Sequence, residues 1–128
     1  MVNPKRGDVF KVLEPDGTIA EPGHPFVILL IFSDMALVGN ITDIENEGDI
    51  PCVLEAKDAP KILTKTSTFR YQSIRESQAA NLTRAFAQNK LLYCGEIPAA
   101  ALQKILAGAA TARLIKPRYR VLLQEAKP

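Results

Sequence analysis

Residues Phe26–Phe32 read Phe-Val-Ile-Leu-Leu-Ile-Phe, an uninterrupted apolar run bounded by Pro25 and by Ser33-Asp34. Seven apolar residues in a row, with Val27, Ile28 and Ile31 β-branched, fit a strand buried on both faces. They fall far short of the roughly 20 residues that a membrane helix needs. The chain is therefore expected to build a sheet around this segment.

The sequence supplies neighbours for such a strand before it supplies helices. Residues 9–13 form a first strand with Phe10 and Val12 on one face. Residues 14–25 are rich in Pro and Gly and contain a Pro15-Asp16-Gly17 turn. After the central run, Ser33-Asp34 turns the chain and residues 35–42 return as a hairpin partner. An acidic loop occupies 43–51, a short strand 52–55 and a turn 57–60. Residues 63–72 are rich in Thr, with Phe69 and Tyr71 on one face and Arg70 and Gln72 on the other, so period two favours a strand there.

Helical signals follow. Ser73 and Glu76 have the spacing of a capping box, Ser77 offers a second cap, and Ala79, Leu82 and Phe86 line one face of a helix reaching residue 89. Residues 91–95 form a short strand. Pro98 opens a helix that runs to Gly108, with Leu102, Ile105, Leu106 and Ala109 as its apolar stripe. Residues 112–124 set Arg113, Lys116, Arg118 and Arg120 among Leu114, Ile115, Tyr119 and Val121-Leu122-Leu123, an edge strand or an extended arm.

Strands grouped ahead of helices predict an α+β, mainly β fold built on an antiparallel sheet or a small barrel, not a parallel doubly wound sheet. No Gly-rich phosphate loop follows any strand, so nucleotide-dependent chemistry lacks its usual motif. The 128 residues, 47% of them hydrophobic, suit one domain. Such a chain buries roughly two-thirds of its unfolded surface and needs no metal or disulfide staple. Residues 1–8 carry no apolar core behind their charges, so a cytoplasmic location without a membrane is expected. Cys52 and Cys94 are far apart and sit among apolar or small residues, as two buried thiols do. With a single histidine, His24, no metal site or cofactor is expected.

The net charge of +2 hides an asymmetry. Residues 1–60 hold 11 acids and 4 bases, whereas residues 61–128 hold 3 acids and 12 bases. Either one face is kept for an anion, or the two halves fold together and their charges intermix.

Five pieces in order resemble the PemK/MazF family of toxins from toxin–antitoxin modules. They are Arg6-Gly7-Asp8-Val9, the loop and strand Pro22-Gly23-His24-Pro25-Phe26-Val27-Ile28-Leu29, the polar strand end Asn40-Ile41-Thr42, the Thr-rich strand from Leu63-Thr64-Lys65 to Tyr71-Gln72, and Gly95-Glu96-Ile97-Pro98 opening a helix with Leu102 and Leu106. The resemblance implies a small SH3-like antiparallel barrel over residues 1–110, with a helix after the later strands and a C-terminal helix. Residues 111–128 are then a basic tail or extra edge strand. It also implies a homodimer, an antitoxin protein as partner, and metal-independent cleavage of single-stranded RNA. The sequence departs from the family at two places: His24 stands where the family has Arg before the loop Pro, and Tyr71 where it has Asp before the Gln.

Cleavage of this kind uses the substrate's 2′-OH to attack the adjacent phosphorus. It needs a base, an acid for the leaving 5′-oxygen, and donors for the phosphorane charge. For that chemistry His24 is the natural acid or base, being the only side chain here of a type that titrates near neutrality. Arg70 or Arg75 holds phosphate oxygens through a guanidinium fork. Thr42 donates to phosphate, Gln72 and Lys65 contact the strand, and Tyr71 stacks on a splayed base. The rival class is a catalytically inactive barrel module that binds nucleic acid or a protein partner.

Overall fold

The computed structural model describes residues 3–125. Five strands, β1 (Asp8–Val12), β2 (Phe26–Phe32), β3 (Met35–Asp43), β4 (Ser67–Gln78) and β5 (Leu91–Glu96), form one sheet of order β4-β3-β2-β1-β5. Every pairing is antiparallel, and β4 and β5 are its two edges. Three α-helices follow: α1 (Ala79–Ala87), α2 (Ala99–Gly108) and α3 (Pro117–Glu125). The fold is thus α+β and mainly β, with an open antiparallel sheet.

β2 is the central strand, and its apolar run serves both faces. Val27 and Leu29 enter the larger core, while Ile28 enters the smaller one. The larger core gathers Val9, Leu37, Ile41, Phe69 and Tyr71 from the sheet with Ala101 and Ile105 of α2 and Tyr119 and Leu123 of α3. On the other face Phe10, Ala36 and Val38 pack against Leu82 and Phe86 of α1. Phe10 stacks on Phe26 at 5.5 Å and meets the Phe86 ring edge-on at 5.8 Å.

Three segments differ from the sequence expectation. The helix expected from residue 74 starts only at Ala79, because β4 runs on through Gln78. The backbone of β3 from Met35 to Val38 needs hydrogen-bonding partners, and Arg75, Glu76, Ser77 and Gln78 supply them. Ser73 caps nothing; its hydroxyl donates to the Arg70 carbonyl at 2.6 Å and accepts the Asn40 N–H at 3.0 Å. Residues 52–55 are no strand, since only Leu54 bridges to Ser67. The segment expected as an edge strand or arm contains α3 instead. Pro117 occupies its first position, and Tyr119 and Leu123, four residues apart, point one helical face into the larger core.

The charge asymmetry resolves by intermixing. Asp43, Glu47, Asp49 and Asp58 from the acidic half pair with Lys65, Arg70, Arg113 and Lys104 from the basic half. Both cysteines are free, but only Cys52 is buried, and Cys94 is part-exposed.

Candidate functional site

The loop before β2 turns sharply at Gly23, whose φ of +80° is open to glycine and strained for other residues. That turn delivers His24 to the sheet next to Pro25, whose carbonyl accepts the Ile41 N–H at 2.9 Å. The loop end is thereby pinned to β3. His24 Nε2 lies 3.5 Å from Thr42 Oγ1, a long contact between a half-buried ring and a buried hydroxyl.

Two shallow grooves meet at His24. One is lined by Asn40, Arg70, Phe26 and the 20–23 loop. The other is lined by Thr42, Asp43, Lys65, Ser67 and Lys11. Strand geometry explains the grouping. Asn40 and Thr42 stand two apart on β3 and share a face, and Asn40 pairs directly with Arg70 on β4. Beyond that pair the β3–β4 register shifts, so that Val38 meets Arg75 and the residues between Arg70 and Arg75 form an irregularity opposite Gly39. Gly39 faces the shift; a Cβ there would sit 2.6 Å from Phe69 Cζ, so only glycine lets the Phe69 ring pack against β3.

The structure brings together His24, Thr42, Arg70 and Lys65 and separates the remaining expected site residues. Arg75 stacks over the Phe26 ring at 5.3 Å and lines neither groove. Gln72 is exposed on β4 and donates to a Glu47 carboxylate oxygen at 3.3 Å; the same carboxylate lies 3.8 Å from Arg70. Tyr71 cannot stack on a base. It is buried in the larger core, its hydroxyl donates to the Ile105 carbonyl of α2 at 2.5 Å, and burial holds its pKa far above the ordinary range. The alternation of β4 dictates this: Tyr71 shares the inner face with Phe69, and Arg70 and Gln72 share the outer one.

Two polar neighbours of Arg70 are absent from the sequence-based set. Asn40 lines the Arg70 groove, and the i, i+2 spacing from Thr42 is the signal that finds it. Glu47 is the other; nothing in an acidic loop marks which of its carboxylates will fold back onto β4. Lys65 is held charged more firmly than usual, chiefly by its hydrogen bond to Asp43 at 2.9 Å. Among the described residues no three His, Cys, Asp or Glu side chains gather as a metal site. No helix there is long and apolar enough to cross a membrane.

The arrangement offers one imidazole beside a hydroxyl, flanked on either side by a cation. It suits an anion with a titratable proton close to it. A scan against protein-family models gives no match, and a search of the curated proteins gives none.

Proposed function

We propose that the chain binds single-stranded RNA across the two grooves and cleaves it at His24. The carrying observation is the meeting of His24 and Thr42 between Arg70 on one side and Lys65 on the other. In this reading the 2′-oxygen attacks phosphorus, its proton passes to a base, and the bond to the 5′-oxygen breaks as that oxygen takes a proton. The products are a 2′,3′-cyclic phosphate and a 5′-hydroxyl. His24 serves one of the two proton transfers. Arg70 offers two parallel donors to the phosphorane oxygens, Thr42 a third, and Lys65 holds the neighbouring phosphate.

The strand order supports the small SH3-like barrel of the PemK/MazF resemblance. β5 returns beside β1, and Leu54 bridges to the free edge of β4 at Ser67. The same resemblance carries a homodimer and an antitoxin partner, and the charged start of the sequence carries a cytoplasmic site of action. The exposed Leu92 and Tyr93 on edge strand β5 support the dimer, and a monomer mass in light scattering would reject it.

The test is incubation of the purified protein with mixed RNA in EDTA. The expected result is fragments ending in cyclic phosphate, with His24→Ala reducing the rate by about 10²-fold or more. Cleavage that persists unchanged without His24 overturns the assigned role. Intact RNA with the wild-type protein favours the second reading, a module that binds without cleaving. One observation favours that reading: Arg70 and Gln72 are already engaged by Glu47.

A further inference from the structure

The two cations of the RNA reading, and Arg113 beyond them, are each matched by a carboxylate of a single short segment. Asp43 lies 2.9 Å from Lys65. Glu47 lies 3.8 Å from Arg70 and accepts from Gln72 at 3.3 Å. Asp49 accepts the Arg113 backbone N–H at 2.9 Å and its Nε at 3.4 Å. The segment thus runs beside both grooves, touching Lys65 of one and Arg70 of the other, and continues to the basic stretch before α3.

Exposure shows which partner is fixed. The Asp43, Glu47 and Asp49 side chains are 29%, 7% and 17% exposed, against 56%, 47% and 76% for Lys65, Arg70 and Arg113. The acids are tucked in and the cations reach out over them. Glu45, in the same segment, is exposed and stands outside these pairs.

We propose that residues 43–49 act as an internal competitor for the RNA backbone, with Asp43, Glu47 and Asp49 occupying the cations that phosphates would otherwise take. This rests on the RNA reading of the His24 face and adds its regulation. A phosphodiester must displace a carboxylate at each of the three cations. Because an ion pair is lost for each phosphate contact made, wild-type binding is weaker than the number of basic contacts suggests.

The experiment measures fluorescence anisotropy of a labelled 2′-O-methyl single-stranded RNA oligonucleotide, which has no free 2′-OH to attack with. The variants are Glu47→Gln, the triple change Asp43→Asn, Glu47→Gln, Asp49→Asn, and Glu45→Gln as a control of equal charge change. Expected is a tightening of about threefold for Glu47→Gln and on the order of tenfold or more for the triple variant at low salt, since exposed ion pairs are individually weak. The advantage of the triple variant over the wild type should shrink as salt rises, so its affinity falls more steeply with salt, because salt screens the internal ion pairs as well as the phosphate contacts. Glu45→Gln, whose carboxylate acts on Lys65 only through space, should tighten binding clearly less than Glu47→Gln does. Equal binding and equal salt slope in the wild type and the triple variant overturn the competitor while leaving the RNA reading intact. Tightening by Glu45→Gln as large as that of Glu47→Gln also overturns it, because loop charge alone would then suffice. Absence of binding in every protein overturns the RNA reading and the competitor together. Should the triple variant unfold, Glu47→Gln alone decides the case.

Discussion

Gly108→Ala sets two opposed effects against each other. In an exposed helix the change is stabilising by about 1 kcal/mol, because glycine loses more backbone freedom on folding. Gly108 ends α2 against the core, however. A Cβ there would overlap the Tyr71 hydroxyl and lie 3.1 Å from Cys52 Cβ and 3.2 Å from the Pro51 carbonyl. That carbonyl is backbone and cannot swing away, so the Tyr71 ring is the group that must move. Moving it breaks the 2.5 Å hydrogen bond to the Ile105 carbonyl. A buried donor left without a partner costs about 1–3 kcal/mol, and overpacking adds about 1–3 kcal/mol. After subtracting the helical gain, Gly108→Ala should destabilise by roughly 1–5 kcal/mol. Urea denaturation followed by circular dichroism measures this directly. The decisive comparison is Gly108→Ala in a Tyr71→Phe background. With the hydroxyl gone, the same alanine should cost at least about 1 kcal/mol less, a coupling characteristic of groups in contact. Stabilisation by Gly108→Ala, or an identical cost in both backgrounds, would refute the placement of Tyr71 as a core strut.

Further outcomes follow from burial and charge. Burial raises Tyr71 above its ordinary pKa of 10.0, and partial desolvation together with the Asp8 and Glu76 carboxylates raises Tyr93 and Tyr119, so the folded state binds these protons more tightly than the unfolded state does. Their contribution is therefore complete below pH 10 and is lost as pH rises beyond it; melting temperature should fall from about pH 10 upward, and Tyr71→Phe should flatten that fall. Leu123→Ala empties a fully buried site where α3 meets the sheet and should cost about 2–5 kcal/mol, read as a lower urea midpoint.

Much of the fold was legible because one pattern left a single solution. Seven apolar residues between a Pro and a Ser-Asp turn place β2 at the centre, and alternation on β4 divides Phe69 and Tyr71 from Arg70 and Gln72. The aromatic ring of Tyr71 suggested base stacking, but the period of the strand assigns it to the core, and the period is the physical constraint. Residues 73–78 were less legible. Ser73 and Glu76 have the spacing of a cap, yet the unpaired backbone of β3 claims this segment, and that demand arises from residues nearly 40 positions earlier. In α3 Arg118 and Arg120, with Arg113 and Lys116 just before the helix, mask the Tyr119–Leu123 spacing. His24, Thr42 and Arg70 could be named from the sequence, whereas Glu47 could not. Its partners Arg70 and Gln72 are fixed only once the acidic loop folds back on β4.

β1 has one neighbour close in sequence and one remote. Val9 pairs with Val27, 18 positions on, whereas Val12 pairs with Leu91, 79 positions on. Closing the longer loop costs about 1.3 kcal/mol more in chain entropy. β2, β3 and β4 instead form a meander of successive neighbours, with Ser33 and Asp34 alone joining β2 to β3. In time, then, the sheet grows from its middle, and the pairing of β5 with β1 comes late in that growth. His24, Asn40, Thr42 and Arg70 all belong to the early part. The grooves are shaped by short-range closure, before the remote edge is laid down.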